Sequence, residues 1–526
     1  MVEITLDRRQ LLCGVSALAT GLCLPDMART QTRWSGDPFA LGVASGSPTH
    51  DGVVLWTRVL RGGASAVAGT GAVEVRWELA HDAQFNRRVQ TGTEVARPEW
   101  GHSVHAEVSG LESDRWYYYR FMVADAVSTI GRTRTFPAPG AEVDRLRLAY
   151  ASCQRWEHGH FSAYRHMRDE QLDAVVFLGD YIYEYPGATD AVRKSTGGWV
   201  LTLDDYRARY ALHKSDPDLQ AMHAACPWLV TWDDHEVQND YAGTTPGDSG
   251  PPVADFMERR AAAYQAFYEN MPLRSSVLTH GLSGLVRGAE MRIYGSVPFG
   301  KLATIYLLDD RQYRDAQACT KGERLGSAAV NPAHCPLWND PRRTLLGAAQ
   351  ERWLDQSFAR GSVLWNVVGQ QTVFGQRDFR IGPGLSLSND GWDGYAPARS
   401  RLIASLQQHK VANPVILGGD VHANWVGHVK ADYARPKSDS IGVEFCGTSI
   451  TSRGGGNDNI PERLTENPHF VFADAQRHGY GVVEFTPKQL TTTLRVVDDV
   501  RRADARIETL AQFAVEPGRA VLQRIS

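Results

Sequence analysis

The 526-residue sequence has no excess of either charge sign, because 56 lysines and arginines nearly balance 60 aspartates and glutamates. Nucleic-acid binding usually requires a strongly basic face, so the net charge of −4 gives no reason to expect a stable nucleic-acid partner. The sequence also lacks internal repeats and low-complexity tracts. Its 43% hydrophobic and 22% charged residues are typical of a globular protein. The length suits two domains, or one large domain with a smaller one attached.

Long hydrophobic runs are absent. The apolar stretch 11–24 is too short, and too rich in small residues, to span a membrane. It follows Arg8-Arg9, an arrangement that resembles a twin-arginine secretory signal. We therefore predict a signal peptide at 1–31, the twin-arginine export machinery as a partner, and an exported protein that is periplasmic or secreted. The alternative is a short exposed helix that carries two arginines.

Cysteine is scarce, with seven residues, two of which lie in the predicted signal. Cys319 and Cys335 share one polar stretch and could close a disulfide across a surface loop. Cys226 and Cys446 border apolar runs, which favours buried thiols. Cys153 remains as the cysteine with a candidate chemical role.

The N-terminal part contains short alternating segments separated by turn residues. Strands are predicted at 53–57, 73–77 and 116–123, and no helical period occurs between them. This pattern predicts a small all-β sandwich at 36–138, of the fibronectin type III or immunoglobulin-like kind. Tyr117 opens one strand shortly after a glycine and leucine, which suits a tyrosine corner.

From residue 144 onward, short apolar runs alternate with helical patterns, which predicts an α/β domain at 144–526. The predicted strands are 146–152, 174–178, 228–231, 302–308, 363–368 and 414–417. The predicted helices are 161–170, 203–212, 257–271, 348–359 and 397–409. Segments 480–485 and 491–497 are predicted to form a hairpin.

Four predicted strands end in polar clusters. In α/β sheets the carboxyl ends of strands are where ligand sites assemble, so these side chains are expected to meet. The candidate metal ligands are Cys153, Asp180, Tyr183, Asp234, Asp420 and His422.

The donor chemistry predicts two kinds of cation. A thiolate and a phenolate, from Cys153 and Tyr183, suit ferric iron or zinc. Carboxylates such as Asp234 and Asp420 suit calcium, magnesium or manganese, and the two oxygens of Asp180 can bridge two ions. Each residue taken alone also has an ordinary structural explanation, such as a turn, a helix cap or a core position. The four clusters together favour a metal site.

These motifs resemble the alkaline phosphatase D family of the calcineurin-like metallophosphoesterases, over nearly the whole mature chain. The motifs that carry the resemblance are Phe-Ala-Leu-Gly-Val-Ala-Ser-Gly (39–46), Ala-Ser-Cys-Gln (151–154), Leu-Gly-Asp-Tyr-Ile-Tyr-Glu (178–184), Trp-Asp-Asp-His-Glu (232–236), Leu-Asp-Asp-Arg-Gln-Tyr-Arg (308–314) and Gly-Gly-Asp-Val-His (418–422). One departure is Asp310, where threonine is more usual, so its role is open.

The resemblance implies a four-layer αββα catalytic domain that holds one Fe³⁺ and one or two Ca²⁺, with Zn²⁺, Mn²⁺ or Mg²⁺ as possible substitutes. It assigns iron to Cys153, Asp180, Tyr183 and His422, with Asp180 bridging, and it assigns the second metal to Asp234 and Asp420. It places His235 near the phosphate as a catalytic residue together with Asp180. Asn424 is a further oxygen donor near the second metal.

Four residues are candidate substrate contacts: Arg155, Arg311, Asn424 and Trp392. The two arginines could each donate a pair of hydrogen bonds to a phosphate. Their alternative role is structural, in salt bridges to nearby acids.

The predicted function is an exported metal-dependent phosphatase that hydrolyses phosphomonoesters and phosphodiesters with a metal-activated water. Two alternatives stay open at the level of sequence. One is the same site specialised for phospholipid or nucleic-acid diesters. The other is a non-catalytic surface-binding protein that the metal stabilises.

Overall fold

The computed structural model describes residues 34, 36–60, 71–279, 290–320, 325–435 and 437–526. The predicted signal peptide at 1–31 lies outside these ranges, so export remains a prediction. Within the described ranges, no helix has the length and apolar character needed to cross a membrane.

The chain forms twenty-four strands and seven α-helices in the described ranges. The strands are β1 (Val43–Gly46), β2 (Val53–Arg58), β3 (Val73–Ala80), β4 (Arg88–Ala96), β5 (Ser103–Val108), β6 (Trp116–Val123), β7 (Ala126–Val127), β8 (Gly131–Arg134), β9 (Leu146–Ala151), β10 (Ala174–Phe177), β11 (Trp228–Val230), β12 (Gly295–Phe299), β13 (Ala303–Leu307), β14 (Ala329–Val330), β15 (Trp365–Gly369), β16 (Leu387–Ser388), β17 (Pro414–Gly418), β18 (Asn424–Lys430), β19 (Ser440–Cys446), β20 (Phe470–Asp474), β21 (His478–Phe485), β22 (Leu490–Val497), β23 (Ile507–Val515) and β24 (Gln523–Arg524). The helices are α1 (Ser162–Met167), α2 (Leu203–Lys214), α3 (Pro217–His223), α4 (Phe256–Asn270), α5 (Gly347–Arg360), α6 (Ala396–Gln408) and α7 (Ile460–Glu466).

Two large mixed sheets pack face to face. One has ten strands in the order β24-β23-β22-β21-β9-β10-β11-β1-β2-β5, and the other has seven in the order β12-β13-β15-β17-β19-β18-β20. Tyr150 and Val176 from the first sheet share one buried core with Val367 and Leu417 from the second. Strands β9, β10 and β11 run parallel, and every residue of β10 and β11 is buried. Burial on both faces explains why these strands read as continuous apolar runs.

Helices cover the outer face of each sheet. Tyr164 of α1, Tyr210 of α2 and Met222 of α3 pack with residues of the ten-stranded sheet in one core. Leu354 of α5 and Leu402 of α6 pack against the seven-stranded sheet. The predicted α/β alternation is therefore confirmed, and each predicted strand and helix of this region overlaps an observed one.

The N-terminal region is all-β, but it is not an isolated unit. A five-stranded sheet of β3, β4, β6, β7 and β8 packs on β1, β2 and β5 around a core that includes Val75 and Leu55. Strand β1 also pairs in parallel with β11, where Gly46 lies opposite Trp228. Strands β1, β2 and β5 therefore extend the ten-stranded sheet, so one sheet serves both the N-terminal core and the α/β region.

Two local predictions are confirmed. A disulfide joins Cys319 and Cys335, while Cys226 and Cys446 are free and buried. At the start of β6, the hydroxyl of Tyr117 accepts a hydrogen bond of 3.0 Å from the backbone N–H of Glu112, which forms the predicted tyrosine corner.

We expect Tyr117→Phe to lower the free energy of unfolding by about 1 kcal/mol, because the change leaves the Glu112 N–H without its partner. Tyr150→Phe is the matched control, since the Tyr150 hydroxyl is buried without a hydrogen-bond partner among the described residues. Its removal is expected to be neutral or stabilising. Denaturant unfolding of the three proteins measures both effects. Equal destabilisation by the two changes would contradict the tyrosine-corner contribution.

Candidate metal centre

The loops that follow β9, β10, β11 and β17 converge at one edge of the stacked sheets. Among the predicted ligands in these loops, four have a left-handed backbone: Cys153 (φ 60°), Asp180 (φ 57°), Asp420 (φ 65°) and His422 (φ 51°). Non-glycine residues rarely adopt this conformation, and they concentrate at functional sites, where the surrounding structure holds them. Sharp turns at the ends of the strands thus direct these side chains to one place.

The β10 and β11 loops are held against each other. Gly179 has φ of 105°, and a Cβ there would lie 2.4 Å from the Cβ of Asp233, so the position requires glycine. Glu236 accepts hydrogen bonds from the backbone N–H groups of Asp180 (3.0 Å) and Asp233 (2.8 Å). The carboxylates on the two loops are therefore fixed close together.

The residues predicted to hold iron lie together. The Sγ of Cys153, a carboxylate oxygen of Asp180 and a ring nitrogen of His422 all lie within 4.8 Å of one another. The hydroxyl of Tyr183 is 2.9 Å from Oδ2 of Asp180 and 3.1 Å from Nε2 of His422. Four donors of the expected types thus surround one point.

A second group adjoins the first through Asp180. Ligand atoms of Asp180, Asp234 and His235 also lie within 4.8 Å of one another, as do those of Asp234, Asp240 and Asp390. Because Asp180 belongs to both of the first two groups, its position is that of a bridging carboxylate.

Asp420 lies near Arg311, which also lies near Asp234 of the second group. The Nη2 of Arg311 lies 3.5 Å from Oδ2 of Asp234 and 3.8 Å from Oδ1 of Asp420. The hydroxyl of Thr372 donates a hydrogen bond of 2.7 Å to Oδ2 of Asp420. The two carboxylates predicted to hold the second metal thus both lie near one nitrogen of the Arg311 guanidinium.

Burial and nearby negative charges shift the pKa values of the side chains in this centre. Burial, with the charge of Asp180 next, raises the pKa of Cys153 and of Tyr183 well above the ordinary values. Burial also raises the pKa of Asp180 and of Asp420, although His235 opposes the rise at Asp180 and Arg311 opposes it at Asp420. A bound cation would favour the charged forms of all four groups.

Two further observations, on Asp234 and His422, support the fit of these residues to a metal. Oδ1 of Asp234 is buried without a hydrogen-bond partner within the described part of the chain, and such an orphaned oxygen is costly unless a ligand satisfies it. Burial lowers the pKa of His422 to about 4, so its imidazole is neutral. Its Nδ1 lies 2.8 Å from the carbonyl oxygen of Arg453, which accepts the ring N–H and leaves the Nε2 lone pair directed toward Tyr183.

His235 lies beside both groups, and its Nδ1 donates a 2.7 Å hydrogen bond to Glu184. Burial opposes the charged ring, but Glu184, Asp180 and Asp234 outweigh burial and raise the pKa of His235 well above its ordinary value. These carboxylates therefore favour the charged form of the ring. Glu184 is fully buried and also accepts the backbone N–H of Asn239 at 2.8 Å.

Arg311 is buried among acidic side chains. It is 2% exposed and pairs with Asp233 and with Asp390 (2.9 Å), in addition to the carboxylates of the second group. These charges raise the pKa of Arg311 although burial opposes the rise. This agrees with the salt-bridge alternative for Arg311. The Oδ1 of Asp310, whose role the sequence left open, is buried with no hydrogen-bond partner in the described ranges.

The other predicted substrate contacts differ in exposure. Trp392 is 1% exposed, and its indole N–H donates to Gln370 at 3.0 Å, which is a core position without surface for a substrate. Asn424 is equally buried, and its Oδ1 accepts the backbone N–H of Thr448 at 3.2 Å. The side chain of Arg155 is 17% exposed and lies over the Tyr185 ring at 4.8 Å. Of the three, Arg155 alone presents part of its side chain to solvent.

Sequence reasoning did not assign three residues that the structure brings to the site: Glu184, Asp390 and Ser452. The first two lie inside polar segments that the sequence makes conspicuous, directly after Tyr183 and shortly before Trp392. Ser452 lies in a Thr-Ser-Arg-Gly-Gly-Gly stretch with no signal of its own, and its hydroxyl is 2.7 Å from that of Tyr183.

The chain resembles known proteins along most of its length. The family model described as PhoD-like phosphatase matches residues 148–494, and the model for the N-terminal domain of the same family matches residues 26–137. The chain is 42% identical to alkaline phosphatase D of Bacillus subtilis (strain 168), over 99% of this chain and 90% of that protein. A solved structure described as PhoD superposes with a TM-score of 0.87 at 42% identity, over 94% of this chain and 93% of that one. On the strength of the two matched regions and this identity, the chain belongs to the PhoD-like phosphatase family.

Proposed function

We propose that this protein is an exported, metal-dependent phosphatase that hydrolyses phosphomonoesters and phosphodiesters at a centre of one Fe³⁺ and one or two Ca²⁺. We also propose that its two stacked sheets with outer helices are the four-layer calcineurin-like fold, and that its N-terminal region is a fibronectin type III or immunoglobulin-like sandwich. The observation that carries the proposed function is the position of Asp180, which belongs to two adjacent groups of metal-ligating atoms.

The assignment of metals follows from the donors. Cys153, Tyr183, His422 and Asp180 would hold the iron, and Asp234 and Asp420 would hold calcium beside it, with Asp180 shared. Bound there, the cations would neutralise phosphoryl oxygens and supply a water of lowered pKa for attack on phosphorus. Zn²⁺, Mn²⁺ and Mg²⁺ are the expected substitutes.

His235 has the geometry and charge of a general acid. Its Nδ1–H is committed to Glu184, so its Nε2–H is the hydrogen available to the oxygen of the departing alcohol. Glu184 keeps the ring oriented and stabilises its positive charge. A protonated imidazole can donate this hydrogen as the phosphorus–oxygen bond breaks, and the alcohol then leaves without a full negative charge.

Two arginines have different proposed roles. Arg155 lies at the edge of the site, and its guanidinium is 5.8 Å from the Tyr183 ring centroid, so it is placed to bind a phosphoryl oxygen of the substrate. Arg311 is a positioning residue. Its Nη2 lies near both Asp234 and Asp420 and offsets part of their repulsion from within the protein.

Asp180→Asn is expected to abolish hydrolysis while the protein stays folded, because a neutral amide cannot bridge two cations. Activity on a chromogenic phosphodiester and a chromogenic monoester, with added calcium, measures the effect, and elemental analysis measures iron and calcium content. Asp204→Asn is the control, since that side chain is 92% exposed. Full activity of Asp180→Asn with normal metal content would contradict the bridging role.

His235→Gln is expected to lower kcat about 10²- to 10⁴-fold for alkyl phosphates, whose alcohols leave poorly, and much less for nitrophenyl phosphate. The reason is that only a poor leaving group needs the proton. Glu184→Gln should show the same dependence on the leaving group with a smaller loss. An equal loss of kcat for both substrate types would refute general-acid catalysis by His235.

Removal of metal is expected to abolish activity and to lower the midpoint of thermal unfolding, because the buried carboxylates then repel one another without a cation. The test is dialysis against a chelator, followed by calorimetry and assay. Ferric iron and calcium together should restore both properties. An unchanged midpoint together with retained activity would oppose a metal-dependent mechanism.

A further inference from the structure

The loop formed by residues 447–456, between β19 and α7, lies directly on the iron side of the centre. Its backbone is bound to the Cys153 strand end: the N–H of Ile450 donates to the carbonyl of Ser152 at 3.0 Å, and the N–H of Ser452 donates to the carbonyl of Cys153 at 3.2 Å. The side chain of Thr451 donates to the carbonyl of Arg155 at 2.8 Å. The 447–456 loop therefore has a fixed position relative to the metal ligands.

Two of its residues contact other proposed iron ligands. The carbonyl oxygen of Arg453 accepts the Nδ1–H of His422 at 2.8 Å, and the N–H of Arg453 donates to Nδ1 of His158 at 3.0 Å. The hydroxyl of Ser452 is 2.7 Å from the hydroxyl oxygen of Tyr183. Together with the backbone bond to Cys153, the loop contacts three of the four residues proposed to hold iron.

The Ser452 hydroxyl has one hydrogen and two possible acceptors. It accepts the backbone N–H of Arg155 at 3.1 Å, and it can donate to the carbonyl of Cys153 at 2.8 Å or to the oxygen of Tyr183. Hydrogen bonds to an ionised acceptor are about twice as strong as those between neutral groups. When the Tyr183 oxygen is a phenolate, it therefore takes the hydrogen in preference to the carbonyl.

We propose that Ser452 is a positioning residue for the metal centre, and that its hydroxyl donates to the Tyr183 phenolate and so controls how strongly this oxygen gives electron density to the bound iron. The proposal rests on the proposed function, because it requires Tyr183 to be an iron ligand. Ser452 is completely buried, so no water can take the place of its hydroxyl as a donor when that hydroxyl is removed. Residues that orient and polarise a ligand in this way change metal affinity when they are removed.

The test is the visible absorption of the iron-loaded protein, since a phenolate bound to ferric iron has a charge-transfer band there. A hydrogen bond to the phenolate stabilises its filled orbital, so Ser452→Ala should move this band to longer wavelength. Tyr183→Phe should lack the band, which assigns it to Tyr183.

Thr451→Val is the matched control. It removes a neighbouring buried hydroxyl whose hydrogen bond goes to a backbone carbonyl instead of a ligand, so its band should stay at the wild-type wavelength. If Ser452→Ala fails to fold, Ser452→Cys replaces it. The thiol is a weaker donor of similar size, and a smaller shift in the same direction is expected.

The outcomes separate the two proposals. A band that stays at the wild-type wavelength in a folded Ser452 variant overturns the role of Ser452 and leaves the proposed function intact. The same shift in Thr451→Val also overturns it, since a general loosening of the loop would then explain the result. Iron-loaded wild-type protein without any phenolate band overturns the ligation by Tyr183, and with it both proposals.

Discussion

Repulsion among the buried carboxylates is the constraint on which the rest of this centre depends. Asp180 and Asp234 are buried close to each other, and the partly exposed Asp420 lies near the same arginine, Arg311, as Asp234. Arg311 and the charged ring of His235 oppose this repulsion from within the protein. A buried ionised group is stable only when it is paired and hydrogen-bonded, so the remaining negative charge favours the binding of cations.

The backbone around the centre is shaped to hold these charges together. The centre lies at four strand ends, and sharp turns after β9, β10 and β17 put ligands in left-handed conformations that cost free energy. Glu236 and Gly179 fix two of the loops against each other. The ten-stranded sheet supplies three of those strand ends, and N-terminal strands β1, β2 and β5 extend that same sheet. The N-terminal region is therefore continuous with the sheet that carries the site. Its packing bears on the rigidity of the metal centre.

Two pairs show how similar side chains differ in role through their surroundings. Arg155 and Arg311 are both cations near the centre, yet one is partly exposed over Tyr185 and the other is enclosed by aspartates. His235 is buried and His422 is partly buried. Neighbouring carboxylates favour the charged form of His235, whereas desolvation favours the neutral form of His422. These environments support an acid role for one histidine and a ligand role for the other.

The sequence alone determined the α/β alternation, the all-β N-terminal region and the cluster residues, because strand periodicity and polar residues at strand ends are local properties. The disulfide and the tyrosine corner were also predictable, since each depends on residues close in sequence. Tertiary structure alone decided that β1 joins the catalytic sheet, that Trp392 lies in the core and that Ser452 reaches Tyr183. The first and last of these contacts join residues far apart in the chain, and the burial of Trp392 depends on its packing with several other elements. Sequence spacing carries no signal of such contacts.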